Sequence, residues 1–186
     1  MFINKKIIGL LQASKVGVIP TDTVYGLACS VFSKEALNRI YEIKGRSENK
    51  PLVILIADIS DLEKFGAKIS LVHQKVMEKY WPGKVTIIFE ISREFDYLDK
   101  GLGLAVRLPA DENLRELLKQ TGPLATTSAN ISGQPPAKNI KEAKNYFGSS
   151  VDFYEDGGEL DSAPSTLVRI SDGKMEVLRQ GAVIIK

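Results

Sequence analysis

The stretch ATTSANISGQPP, residues 125–136, sets Thr126, Thr127, Ser128, Asn130 and Ser132 close behind one another. It continues from PLATTS (123–128), which reads as a strand entered through the turn before Pro123. Two readings are open. Ser, Thr, Asn, Gly and Pro are the common turn formers, so the segment can be a solvated loop. A strand ending in small hydrogen-bonding side chains also suits a cradle for an anion or polar ligand, because open α/β sheets bind ligands at their strands' ends.

Outward from this point, short β-branched runs alternate with longer amphipathic ones. The predicted strands are 16–20, 51–57, 85–91, 103–109, 123–128, 151–155, 165–170 and 175–179. The predicted helices are 4–13, 33–43, 58–65, 70–80, 111–120 and 139–147. Ser33 and Asp111 read as N-caps, with Gly45 and Gly122 just past the ends of the same helices. Some strands follow one another and some are separated by helices. That order predicts an α/β protein with a twisted, mixed parallel and antiparallel open sheet and flanking helices. No repeat, low-complexity tract or linker divides the chain, so residues 1–186 are expected to form a single domain.

Composition narrows the chemistry. The 186 residues are 44% hydrophobic and 26% charged, with 25 Lys plus Arg against 23 Asp plus Glu. This near-balance carries no polybasic tail, although net charge does not say where the charges sit. One cysteine, Cys29, and one histidine, His73, exclude an intramolecular disulfide and a cysteine-cluster zinc site. They also argue against a His-based metal centre and a Ser-His-Asp triad. His73 is expected on the surface of its helix. The apolar run near the N-terminus is too short for a secretory signal, and no run approaches a membrane span. A cytoplasmic, reducing environment and no membrane partner are expected.

Four polar islands interrupt the apolar pattern. In IPTDTVYG (19–26), Thr21, Asp22, Thr23 and Tyr25 either line a pocket at a strand's end or build an Asx-type turn. In YEIKGRSENKPLVILI (41–56), Lys44 and Arg46 either favour a helix C-terminus or neutralise phosphate. In GLAVRLP (103–109), Arg107 sits within an apolar strand and needs an anionic partner if buried; a ligand carboxylate and a protein Asp serve equally. The fourth is the opening stretch, with PSTLVRI (164–170) and VLRQGAV (177–183) as smaller companions. Neither a P-loop nor a G-x-G-x-x-G fingerprint is present.

Taken in order, these islands resemble the YrdC-type threonylcarbamoyl-AMP synthases. The resemblance is carried by P-T-D-T-V-Y-G-L (20–27), K-G-R with the following K-P-L (44–52), W-P-G-K-V-T (81–86) and A-V-R-L-P (105–109). It continues in T-S-A-N-I-S-G-Q-P (127–135), P-S-T-L-V (164–168) and L-R-Q-G-A (178–182). Asp22 stands where many members have Glu, and Ser47 where proline is frequent.

The resemblance implies a YrdC-like fold with a concave, positively charged surface, in the short single-domain form. It implies an enzyme, a nucleotidyltransferase, that joins L-threonine, bicarbonate or CO2, and ATP into threonylcarbamoyl-adenylate and pyrophosphate. A partner complex would then carry the threonylcarbamoyl group to an adenosine of tRNA. Lys44, Arg46, Lys50, Ser128, Asn130 and Arg179 match nucleotide-binding positions, with Lys44 and Arg46 stabilising charge in the reaction. Thr23, Arg107, Thr126 and Ser165 match positions that hold threonine. Magnesium would arrive with ATP, and no protein metal site is implied. Backbone N–H groups of 126–133 are expected to add neutral donors around the phosphates. The rival expectation is a module for double-stranded RNA or tRNA without catalysis. A related carbamoyl-adenylate domain of hydrogenase-maturation proteins belongs to much longer, cysteine-richer chains.

Overall fold

The computed structural model describes residues 4–47, 50–92, 95–99 and 101–185. Nine strands form one sheet: β1 Gly17–Ile19, β2 Gly26–Ser30, β3 Val53–Leu55, β4 Val85–Phe89 and β5 Leu104–Arg107, then β6 Leu124–Ser128, β7 Phe153–Tyr154, β8 Thr166–Ser171 and β9 Lys174–Arg179. Their order is β7-β1-β2-β6-β3-β5-β4-β8-β9. β1 with β7, β3 with β5 and β4 with β8 run parallel; the other neighbours run antiparallel. The mixed α/β sheet is as expected.

The helices are α1 Lys5–Gln12, α2 Lys34–Lys44, α3 Leu71–Tyr80, α4 Asp96–Asp99, α5 Glu112–Thr121 and α6 Ile140–Phe147. Ser33 and Asp111 cap α2 and α5 as predicted, each side chain accepting a first-turn N–H. Gly45, at φ 59°, ends α2 in the left-handed conformation that glycine adopts without a Cβ penalty. The helix expected over 58–65 is present as a 3₁₀ helix, Ile59–Phe65. β2 and the short α4 were not predicted. GLACS in β2 has no β-branched or aromatic residue, so β-propensity gives little signal there.

Alternation along the strands sorts the core onto two faces. Leu27, Cys29, Ile54 and Ala125 pack in one cluster with residues of α2, α3 and α6. Ala28, Leu55 and Leu124 point the other way, into a second cluster with Ile7, Ile8 and Leu11 of α1 and Leu114, Leu117 and Leu118 of α5. Two helices cover only part of this second face. The uncovered part, over β2, β6, β3 and β5, is where the polar islands meet.

His73 departs from its expected surface position: it is buried at 7% exposure and stacked on Phe89 with ring centroids 4.8 Å apart. Its Nδ1 accepts from the Ser70 N–H (3.3 Å), closing a reciprocal cap on α3, and Nε2 lies 3.4 Å from the Ile88 carbonyl. Burial holds its pKa below the ordinary 6.5. The unfolded chain therefore takes up this proton first as pH falls, and stability falls with it. Melting temperature is expected to drop as pH falls below about 6.5. His73→Gln should flatten that slope, and an unchanged slope would assign the acid sensitivity elsewhere.

Candidate functional site

A cleft of about 360 Å³ opens on the half-covered face. The β1–β2 turn gives it Thr21, Thr23 and Val24, and the loop after α2 gives Arg46, Lys50 and Pro51. β5 adds Ala105 and Arg107, β6 adds Thr126, Thr127 and Ser128, and the β8–β9 side adds Ser165, Leu167 and Arg179. The register explains the convergence: Gly26 pairs with Ser128, and Val53 lies between Thr126 and Ala105. Gly26 also leaves room, since a Cβ there would stand 3.3 Å from the Thr127 carbonyl.

Eight of the ten sequence-predicted residues line this space: Thr23, Arg46, Lys50, Arg107, Thr126, Ser128, Ser165 and Arg179. Lys44 and Asn130 lie beneath it, 1% and 7% exposed. The Lys44 ammonium donates to the Ser128 carbonyl (2.5 Å), the Asn130 carbonyl (3.0 Å) and Asn130 Oδ1 (2.7 Å), with Ser128 Oγ at 3.3 Å. Three N–H bonds thus face four oxygens of one loop. Asn130 Oδ1 also accepts from Ser128 Oγ (2.6 Å), and Asn130 Nδ2 donates to the Ile131 and Gln134 carbonyls. Burial, helped by the Arg46 charge, pulls Lys44 down to about 8.

The loop's donors are therefore spent largely inside the protein. The N–H groups of Ala129, Asn130 and Ser132 go to the carbonyls of Tyr25, Ser128 and Lys44. This corrects the expected ring of exposed backbone donors over 126–133. What the cleft sees of this segment is Thr126, Thr127, Ser128 and Pro136, with Ser128 held by Lys44 from behind. Ser128→Ala should weaken binding of a nucleoside triphosphate about tenfold, the worth of one hydrogen bond to a charged group, while shifting the melting temperature by only a few degrees. Undiminished nucleotide binding would remove Ser128 from the site.

Arg46 donates from Nε and Nη2 to the carbonyls of Lys50 and Pro51, both at 3.2 Å. Arg179 donates to the Ser165 carbonyl at 2.9 Å. Burial lowers the pKa of both arginines, and Arg179 adds repulsion on Arg46. Ser165 Oγ lies 2.7 Å from Thr86 Oγ1, a wholly buried hydroxyl in β4.

Arg107 is 3% exposed. Of the two partners left open by the sequence, the protein supplies an Asp: Asp22 Oδ1 lies 3.0 Å from the Arg107 guanidinium. Thr23 Oγ1 accepts from Nη1 at 3.1 Å, while Nε is buried without a hydrogen-bond partner. Burial lowers the Arg107 pKa, and Asp22 opposes that shift. The turn that carries Asp22 is built by Thr21, whose Oγ1 accepts from the N–H groups of Thr23 and Val24 and donates to the Val24 carbonyl. Thr21 and Thr23 both line the cleft, and the turn is made by the Thr21 hydroxyl rather than by the Asp22 carboxylate of an Asx-type turn. Tyr25 does not line the cleft; it is fully buried and donates to the Gly158 carbonyl at 2.7 Å.

Sequence reasoning missed Thr86 and the task of Asp22, because each acts on a neighbour brought close only by the fold. Cys29 stays out of the chemistry: burial pushes its thiol up to about 12. Among the described residues, no group of three or more His, Cys, Asp or Glu gathers as a metal site, and no helix is long and apolar enough to cross a membrane.

Comparison with known proteins follows this geometry. The Sua5/YciO/YrdC family profile, described as "Telomere recombination", matches residues 9–181. A putative threonylcarbamoyl-AMP synthase of Methanocaldococcus jannaschii is 32% identical over 186 residues, covering all of this chain and 86% of its own. The Homo sapiens threonylcarbamoyl-AMP synthase is 31% identical, over 94% of this chain and 65% of its own. Among solved structures, Pyrococcus abyssi Sua5 complexed with L-threonine superposes with a TM-score of 0.89 at 31% identity. That match covers 95% of this chain and 53% of the other, so the chain spans about half the length of that relative. Escherichia coli YciO superposes with a TM-score of 0.88 at 25% identity, over 97% and 90% of the two chains.

Proposed function

The chain belongs to the Sua5/YciO/YrdC family, and from that membership together with the cleft we infer that it is a threonylcarbamoyl-AMP synthase. It would join L-threonine, bicarbonate or CO2, and ATP into threonylcarbamoyl-adenylate and pyrophosphate, in the cytoplasm, and supply a complex that modifies tRNA. The single observation that carries the reading is the convergence in one cleft of cations from distant segments, Arg46, Lys50, Arg107 and Arg179, beside the hydroxyls of Thr23, Thr126, Ser128 and Ser165. The L-threonine complex of the Pyrococcus relative supports threonine as the amino acid.

The chemistry needs no nucleophilic side chain. The threonine amine adds to CO2 and loses a proton, giving a carbamate. A carbamate oxygen attacks the α-phosphorus of ATP, and the bond to pyrophosphate breaks. Two anions must be held together against their repulsion, and positioning can supply roughly 7–11 kcal/mol of barrier reduction. Arg46, Lys50 and Arg179 are suited to the phosphates, and Arg107 to the threonine carboxylate. Lys44 and Asn130 serve the phosphate end through Ser128. Magnesium would come with ATP and spread charge on the departing pyrophosphate. The polar part of the cleft lining, hydroxyls and cations with no carboxylate among the described residues, fits an ion carried by phosphates.

Incubating the protein with ATP, magnesium, threonine and labelled bicarbonate, then seeking the adenylate by mass, tests the reading directly. A labelled adenylate that requires all four components is expected. No adenylate, with tight and salt-sensitive binding of double-stranded RNA, would favour the non-catalytic alternative.

A further inference from the structure

Four cations line the cleft, and among the described residues no carboxylate lines it with them. A polyphosphate entering such a trough can lie in more than one register, because a guanidinium binds phosphate as well as carboxylate. Burial lowers the pKa of Arg46 and Arg107, and the nearby Arg179 charge adds to it in both. Something must break this symmetry if one end is to be kept for an amino acid.

The arginines differ in what stands behind them. Arg46 and Arg179 lean on backbone carbonyls, which are dipoles and leave the net charge intact. Arg107 leans on a carboxylate: Asp22 lies 3.0 Å away, and the two side chains are 8% and 4% exposed. Asp22 is not part of the lining, so it adds its charge without offering an oxygen to the ligand. Its own position is fixed, since Oδ2 accepts from the Ala110 N–H at 3.2 Å.

We propose that Asp22 is a specificity-determining residue that cancels the net charge of Arg107 and so confines polyphosphate to the Arg46, Lys50 and Arg179 end of the cleft. Arg107 still lines that end of the cleft, and its guanidinium carries N–H groups beyond those that meet Thr23 and Asp22, directional donors for a single carboxylate. A monoanion can bind there through hydrogen bonds. A phosphate chain, which needs net positive charge, gains little by sliding across. The proposal rests on the reading of the cleft as a site for threonine and ATP.

The test is equilibrium binding of labelled L-threonine with inorganic tripolyphosphate as competitor, without turnover. In the parent protein, tripolyphosphate should bind without displacing threonine. In Asp22→Asn it should bind about tenfold more tightly and displace threonine, because a full unit charge is exposed to it. Asp22→Glu, which keeps the charge, should retain threonine against tripolyphosphate.

Should Asp22→Asn fail to fold with an uncompensated guanidinium, the double variant Asp22→Asn/Arg107→Gln removes both charges. It should lose threonine and keep the parental affinity for tripolyphosphate. The proposal is overturned if tripolyphosphate displaces threonine from the parent, if Asp22→Asn leaves its affinity unchanged, or if the double variant binds it more weakly. A parent that binds no threonine at all overturns the functional reading itself, and this proposal with it.

Discussion

Replacing Arg107 by alanine is expected to raise the KM for threonine about a hundredfold while moving that for ATP by no more than about threefold. The magnitude follows from the loss of a charge-assisted, two-point contact, worth roughly 3 kcal/mol, against about 1.4 kcal/mol for each tenfold. Steady-state kinetics with each substrate varied in turn checks the split. The same change strands Asp22, whose side chain is only 8% exposed, so a lower melting temperature should accompany it. Stability alone cannot favour one substrate, and the threonine-to-ATP ratio carries the inference. Equal losses on both would mean a collapsed cleft and a structural Arg107. Arg107→Lys refines the point. A lysine keeps the charge near Asp22 but cannot reach Asp22, Thr23 and a ligand carboxylate with one planar fork. Its threonine KM should fall between parent and alanine.

Much of this was legible in the chain because its signals are local. Ser33 and Asp111 announce their helices through capping chemistry that acts within four residues. Strands with β-branched residues, such as VTIIF in β4, announce themselves through propensity and burial. β2 was hidden by the same logic. Its residues are neither β-branched nor aromatic, and only pairing with β1 and β6 makes a strand of them. The site divides along the same line. The site residues could be picked through the family resemblance that the ordered islands carry, and eight of the ten share the cleft. Which of them face the ligand could not, since Lys44 and Arg46 are two positions apart yet one is buried and the other lines the cleft. That distinction is made by Gly45, whose left-handed turn ends α2 between them.

The largest effect at the phosphate end is expected from Lys44→Met: adenylate formation falls about a hundredfold or more, and the melting temperature falls by several degrees. The reasoning concerns oxygens. Without the ammonium, the Asn130 carbonyl loses its donor below the cleft, while the Ser128 carbonyl and Asn130 Oδ1 each keep one. One orphaned oxygen costs about 1–3 kcal/mol. The tie between α2 and the 128–134 loop then rests on the bond from the Ser132 N–H to the Lys44 carbonyl. A variant that loses activity at full thermal stability would instead show the ammonium acting on phosphate while the loop stands without it.

A pH series on the parent separates these further. Lys44 sits at about 8, against an ordinary 10.5, so above about pH 8 the folded protein releases this proton while the unfolded chain still holds it. By linkage the group's contribution to stability rises with pH across that window. The neutral amine still fills its volume, but it has two protons for four oxygens, and the loop beneath the phosphates loses definition. Activity should therefore decline above about pH 8 while the melting temperature does not follow it down. Activity and stability falling together would place the alkaline loss in general unfolding and remove Lys44 from its account.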